Sequence, residues 1–197
     1  MRSGSGYLRT DEYLDAAESL RAAAQFADEA RNRAGAWKWL LIAVHSSAQA
    51  AFVLALSRGS FLLALKHSHA KAWLRAHEGT GSWPAEIHLD YFLELYVKTK
   101  QHVVARPPSG VLFSCTPVHD TAMERLNFFR NGLIHFVPQG WSIELAGLPQ
   151  IISSCVEVAR YIMWDSGAVI WPSASLSTRA RGSANHLVRA LSRLSAR

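Results

Sequence analysis

From Trp37 to Leu56 the chain is apolar almost without interruption. A helix that is hydrophobic on nearly all sides either crosses a membrane or runs through the middle of a protein core. His45, Ser46, Ser47 and Gln49 interrupt this run, and Lys38 and Arg58 border it. Polar groups placed mid-segment make a buried central helix the better reading than a membrane span. A central helix needs others to cover it, and 197 residues with 49% hydrophobic content are enough to do so within one domain. No membrane partner is expected.

The flanking segments read as those covering helices. Thr10 is an N-cap candidate, with Asp11 and Glu12 in the first turn and Leu14, Ala17, Leu20, Ala24 and Ala27 recurring at helical spacing, which predicts a helix from Asp11 to Arg31. The central helix follows over Trp37 to Ser57, with His45 and Gln49 on one face at i and i+4. They are either satisfied core polar groups or part of a pocket. A helical pattern from Ser60 to Ala76 breaks in the loop Gly79 to Pro84, and another is expected from Ala85 to Lys98. After the loop Arg106 to Gly110, Thr116-Pro117 reads as an N-cap followed by proline at the first helical position. That helix should end before Pro138. Trp141 to Leu145 alternates apolar and polar residues without an obvious partner strand, so it is read as an extended connection. A last core helix should open at Pro149 and run to about Trp164, burying Ile152, Cys155, Val156, Ala159, Ile162 and Met163. The expected fold is all-α: an antiparallel bundle of about five or six helices over 11–166, behind a flexible N-terminus, 1–10.

Charge is unevenly placed. The net charge is +6, and the acid-free stretch from Ser166 to the C-terminus, with Arg179, Arg181, Arg189, Arg193 and Arg197, carries +5 of it. Residues 167–197 therefore read as a basic Ser/Arg-rich appendage, either suited to nucleic acid or an acidic partner or simply solvated and disordered, with a short peripheral helix beginning near Ser183 that orders with a partner. Two cysteines, Cys115 and Cys155, do not make a secreted disulfide scaffold, and Met1 to Tyr7 is not a leader sequence, so a cytoplasmic location is expected.

The chemistry-bearing string is Arg130-Asn131-Gly132-Leu133-Ile134-His135. On a helix advancing about 100° per residue, Ala122, Leu126, Phe129, Leu133 and Phe136 fall on one core-facing stripe. Asn127, Arg130, Asn131 and His135 lie off it, with Arg130 and His135 about 140° apart around the axis. One helix splays the arginine and histidine; two copies meeting across a symmetry axis would bring both into one cleft, with the apolar Ile134 as a contact. Gly132 permits close approach of another backbone. Such a cleft could cleave RNA through its 2′-hydroxyl: His135 moves protons near neutral pH, Arg130 stabilises charge on the phosphate, and Asn131 orients the histidine or holds a phosphate. That chemistry requires no metal. In the bland alternative, Arg130 pairs with Glu124, Glu144 or Glu157 and His135 complements the helix C-terminus.

With Arg-x4-His, a polar residue after the arginine, and the apolar frame Phe128 to Phe136, the segment 11–164 resembles the HEPN superfamily. The resemblance implies a helical bundle that dimerises through the motif face, often a metal-independent endoribonuclease in toxin-antitoxin, phage-defence or RNA-processing settings. It implies Arg130, Asn131 and His135 as the catalytic set and a homodimer, RNA and an antitoxin or other protein as partners. Other members are non-catalytic nucleotide-binding or interaction modules. A tyrosine that commonly stands two residues after the histidine in toxins silenced by nucleotide transfer is replaced here by Val137, so that mode of control is not expected. Arg181 and His186 share the spacing without the apolar setting and read as coincidence.

Asn127, Arg179 and Arg181 are candidate substrate-binding residues. His67, His69, His77 and His88 read as surface histidines, because no ligand spacing accompanies them, and no metal or cofactor is expected. The seven tryptophans read as core or loop anchors.

Overall fold

A computed structural model describes residues 6–135, 138 and 140–195. The fold is an all-α helical bundle, with seven α-helices among the described residues: α1 (Glu12–Glu29), α2 (Ala36–Leu56), α3 (His67–His77), α4 (Phe92–Thr99), α5 (Pro117–Ile134), α6 (Leu148–Arg160) and α7 (Ala174–Ser195). Among the described residues there is no strand, only an isolated antiparallel bridge between Leu65 and Leu89.

α2 is central, packing against α1, α4, α5 and α6. By length and composition it could cross a membrane, but here Leu40, Leu41, Ala48, Ala51 and Phe52 are sealed inside the bundle. α1 begins one residue later than its acidic run suggests, because Asp11 rather than Thr10 is the N-cap and its carboxylate accepts the Leu14 N–H at 2.7 Å. Its alanines, Ala16, Ala17, Ala23, Ala24 and Ala27, let α2 and α7 approach closely.

Two expected helices are shorter than their patterns, for one shared reason. Residues 64–66 and 88–90 pair through their backbones: the Lys66 N–H donates to His88 O at 3.2 Å and the Asp90 N–H to Ala64 O at 2.9 Å. The pattern from Ser60 to Ala76 therefore splits into a 3₁₀ turn, Phe61–Ala64, and α3, while the helix expected from Ala85 starts only at Phe92. α4 continues as a π turn, Lys100–Val104, and α6 as a second one, Tyr161–Asp165. The six residues expected to form the buried stripe of α6 and its continuation are all buried.

The C-terminal segment departs most from its reading as an appendage. α7 starts at Ala174, not near Ser183, and buries Leu176, Ala180, Ala184, Leu187, Ala190, Leu191 and Leu194 against α1 and α6. Counting alanine as core extends the stripe two turns upstream. Those small residues seat the helix on the bundle, and His186 adds a 2.6 Å contact to Asp28 of α1. The arginines stand on its solvent side.

Candidate functional site

α5 opens as its sequence indicates. Thr116 is the N-cap, Pro117 occupies the first turn, and His119 Nδ1 accepts the Thr116 N–H at 3.0 Å. Ala122, Met123, Leu126, Phe129 and Leu133 form its buried face; Phe136, expected to extend that stripe, lies outside the described residues. This rotational setting turns Asn127 and Arg130 toward α2, where both are half-buried, and leaves Asn131 and His135 exposed.

Across from them, α2 supplies His45 and Gln49. Both line a cavity of about 440 Å³ together with Asn127, Arg130 and Asn131, closed on the α4 side by Asp90, Phe92 and Glu94. A second cavity of about 230 Å³ shares His45, Gln49 and Arg130 and is walled by Glu12 and Asp15 of α1. Both readings of this face hold: His45 is a buried polar group with a hydrogen-bond partner, and with Gln49 it also lines the pocket. His45 is 3% exposed. Its ring stacks on Phe92 with centroids 4.0 Å apart, and its Nε2 lies 3.3 Å from Asn127 Oδ1. Burial, with the neighbouring Arg130 guanidinium adding to it and the Asn127 hydrogen bond opposing, lowers the His45 pKa to about 4. The imidazole is therefore neutral at pH 7. Burial raises the Asp15 pKa.

Arg130 donates from Nη1 to Asn131 Oδ1 at 3.0 Å. Among the described residues no carboxylate forms an ion pair with it; Glu157, one of its expected partners, instead lies 3.4 Å from His119 Nε2. An arginine held beside a cavity without a counter-ion is a ready anion site. His135 is elsewhere. It is the C-cap of α5, with its backbone N–H on Asn131 O at 2.9 Å, and its side chain lines neither cavity. Within one chain the structure thus brings together Arg130, Asn131 and Asn127, adds His45 and Gln49, and leaves His135 on the outward face. Phe128 is also exposed.

The close approach expected at Gly132 is made by a side chain rather than a backbone. The Trp141 indole lies where a Cβ would be, 2.6 Å from its ideal position, and meets Phe128 edge-on. Trp141 is accordingly the anchor of the extended connection after α5. Ile134, expected at a dimer contact, is exposed.

Arg179 and Arg181 join neither Arg130 cavity. Arg179 lines a separate groove of about 590 Å³ between α1 and α7 with Arg21 and His186, and Arg181 lies 3.8 Å from Asp165. Arg181 and His186 thus engage different acids on different helices, Asp165 and Asp28. His69 and His88 meet ring to ring at 4.6 Å, and His88 bonds Glu86 at 2.9 Å; among the described residues no three His, Cys, Asp or Glu side chains gather around a common point. The site members that sequence reasoning missed are Glu12, Asp15, Asp90, Phe92 and Glu94. Only folding brings them to Arg130. Comparison with protein-family models, curated proteins and solved structures finds no match to this chain.

Proposed function

We propose that this chain is a HEPN-like ribonuclease that cleaves RNA without a metal, at a site completed by a second copy of itself. The observation that carries the reading is Arg130, half-buried, without a carboxylate partner among the described residues, and flanked by the amides of Asn127 and Asn131 at the mouth of a cavity large enough for a nucleotide. His135 lies on the outward side of the same helix, so the partner's α5 supplies the histidine that faces this Arg130. His135 takes the proton from the 2′-hydroxyl, the oxygen attacks phosphorus, Arg130 stabilises the charge on the non-bridging oxygens, and the P–O5′ bond breaks as the 5′-oxygen takes a proton from water, giving a 2′,3′-cyclic phosphate and a 5′-hydroxyl. The resemblance that suggests this chemistry also suggests a toxin or phage-defence setting and an antitoxin partner.

A second reading is favoured by the carboxylates of Glu12, Asp15, Asp90 and Glu94 around the same cavities. They repel a long polyanion but suit the hydroxyls of a single bound nucleotide, as in a non-catalytic nucleotide-binding or interaction module. One experiment separates the two. Purified wild type and the Arg130→Ala/His135→Ala double variant are incubated with structured and unstructured RNA in EDTA, and product ends are resolved. Cleavage by wild type alone, with cyclic-phosphate ends, supports the nuclease; intact RNA in both reactions, with a nucleotide bound in an Arg130-dependent way, supports the module.

A further inference from the structure

Arg130 has only donors, so the Asn131 atom 3.0 Å from its Nη1 is the amide oxygen, and the Asn131 NH₂ is turned away from the guanidinium. The same logic applies one turn back. His45 reaches from α2 across to Asn127 of α5, its ring clamped on Phe92 and its Nε2 3.3 Å from the Asn127 amide oxygen. A neutral imidazole carrying its proton on Nε2 donates to that oxygen and leaves the Asn127 NH₂ free.

We infer that His45 is a positioning residue of this site, which, by donating to Asn127, turns its amide so that Asn127, Arg130 and Asn131 present hydrogen-bond donors alone to a phosphate oxyanion. Both amide oxygens are occupied by donors from the protein, so what these three residues leave for a ligand is two NH₂ groups and the rest of the guanidinium; on the α4 side of the cavity stand the carboxylates of Glu94 and of Asp90, the latter paired with Lys98 at 2.7 Å. Acceptors at those positions would repel phosphate oxygens; donors complement them. The buried, neutral state of His45 fits the role, because the ring keeps one fixed N–H and adds no second cation to the pocket. Gln49, at i+4 from His45 on the same face, lines both cavities. The inference rests on reading the Arg130 cavity as a phosphodiester site, but it concerns anion binding and not cleavage.

The test uses the full ¹⁵N-labelled chain at pH 7 and constant ionic strength, titrated with inorganic phosphate. In wild type the side-chain NH₂ signals of Asn127 and Asn131 shift with phosphate, and Arg130→Ala abolishes the response. His45→Phe keeps the ring stack but has no donor, and should weaken phosphate binding about tenfold, the loss expected for one misdirected charge-assisted hydrogen bond. His45→Gln, whose amide nitrogen reaches the place of Nε2, should bind within about threefold of wild type, a rescue that mere space-filling does not produce. The inference is overturned by unchanged binding in folded His45→Phe, by equal weakening in His45→Gln, or by no response in wild type. Should His45→Phe fail to fold, the tautomer decides: an unprotonated Nε2 in the wild-type ¹⁵N spectrum overturns it, and a protonated Nε2 supports it. Phosphate binding with no RNA cleavage would sink the nuclease and leave the cradle standing.

Discussion

His45 ties the candidate site to the stability of the whole bundle, and the link has a sign and a size. Its pKa falls from the ordinary 6.5 to about 4 in the folded protein, chiefly because the ring is buried and secondarily because Arg130 is close. Between those two values the unfolded chain binds a proton that the folded chain refuses, so stability must fall as pH drops from 6.5 and the loss must level off below about 4. At 1.36 kcal/mol per pKa unit, the whole window is worth roughly 3 kcal/mol, of which about 2 kcal/mol is lost by pH 5. Urea unfolding of wild type and His45→Phe at pH 7.5 and pH 5 measures it as a difference of differences. The carboxylates of Glu12, Asp15, Asp90 and Glu94, which line the same cavities, are present in both proteins and largely cancel. Wild type should lose about 2 kcal/mol more than His45→Phe on acidification, and His45→Gln, which also cannot titrate there, should follow the phenylalanine variant. Parallel pH profiles in wild type and both variants would refute the reasoning, since a ring that costs nothing to protonate is neither buried nor held beside a cation.

Gly132→Ala places a methyl group 2.6 Å from the Trp141 ring. Displacing the indole should cost about 1–3 kcal/mol and outweigh the gain in helix propensity of about 1 kcal/mol. In a Trp141→Ala background the same substitution should instead stabilise by up to about 1 kcal/mol; urea midpoints of the four proteins give the cycle, and destabilisation in both backgrounds would show that Trp141 is not what demands the glycine. On α7, Ala184→Leu should lower stability by about 1–3 kcal/mol because Ala184 is sealed between helices, whereas exposed Arg179→Glu should change it by less than about 0.5 kcal/mol. Removing residues 173–197 should unfold the protein rather than simply shed a basic tail, as circular dichroism would show; a fully folded truncation would return α7 to the status of an appendage.

What could be read in advance follows from where the determining forces lie. α1, α2, α5 and α6 each bury a stripe whose period is local, and Thr116-Pro117 and Pro149 punctuate the starts of the last two, so the starts of all four were legible within a residue. The segments 60–76 and 85–98 were not, because the pairing of Lys66 with His88 and of Asp90 with Ala64 is non-local and no periodicity within either segment encodes it. α7 was misjudged for a different reason. Its four arginines in an acid-free segment dominate the composition, while its packing depends on Ala180, Ala184 and Ala190, which a search for large apolar residues passes over.

The site divides along the same line. That Asn127, Arg130 and Asn131 lie off the core face of α5, and that His135 is splayed away from Arg130, follows from helical rotation alone. Which partner each would find does not. His45 and Gln49 could be seen to share a face of α2, but only the packing of α2 against α5 and of Phe92 against the imidazole turns that face toward Arg130 rather than into a closed core. The consequence is chemical. A search for the histidine nearest Arg130 in sequence finds His135, exposed at the C-cap of α5; the histidine that shares the Arg130 cavities is His45, whose depressed pKa keeps it neutral at pH 7 beside the Asn127 amide. On the proposed reading, His135 of a second copy supplies the proton transfer of a phosphate-cleaving site, and His45 holds the amide that shapes its cradle.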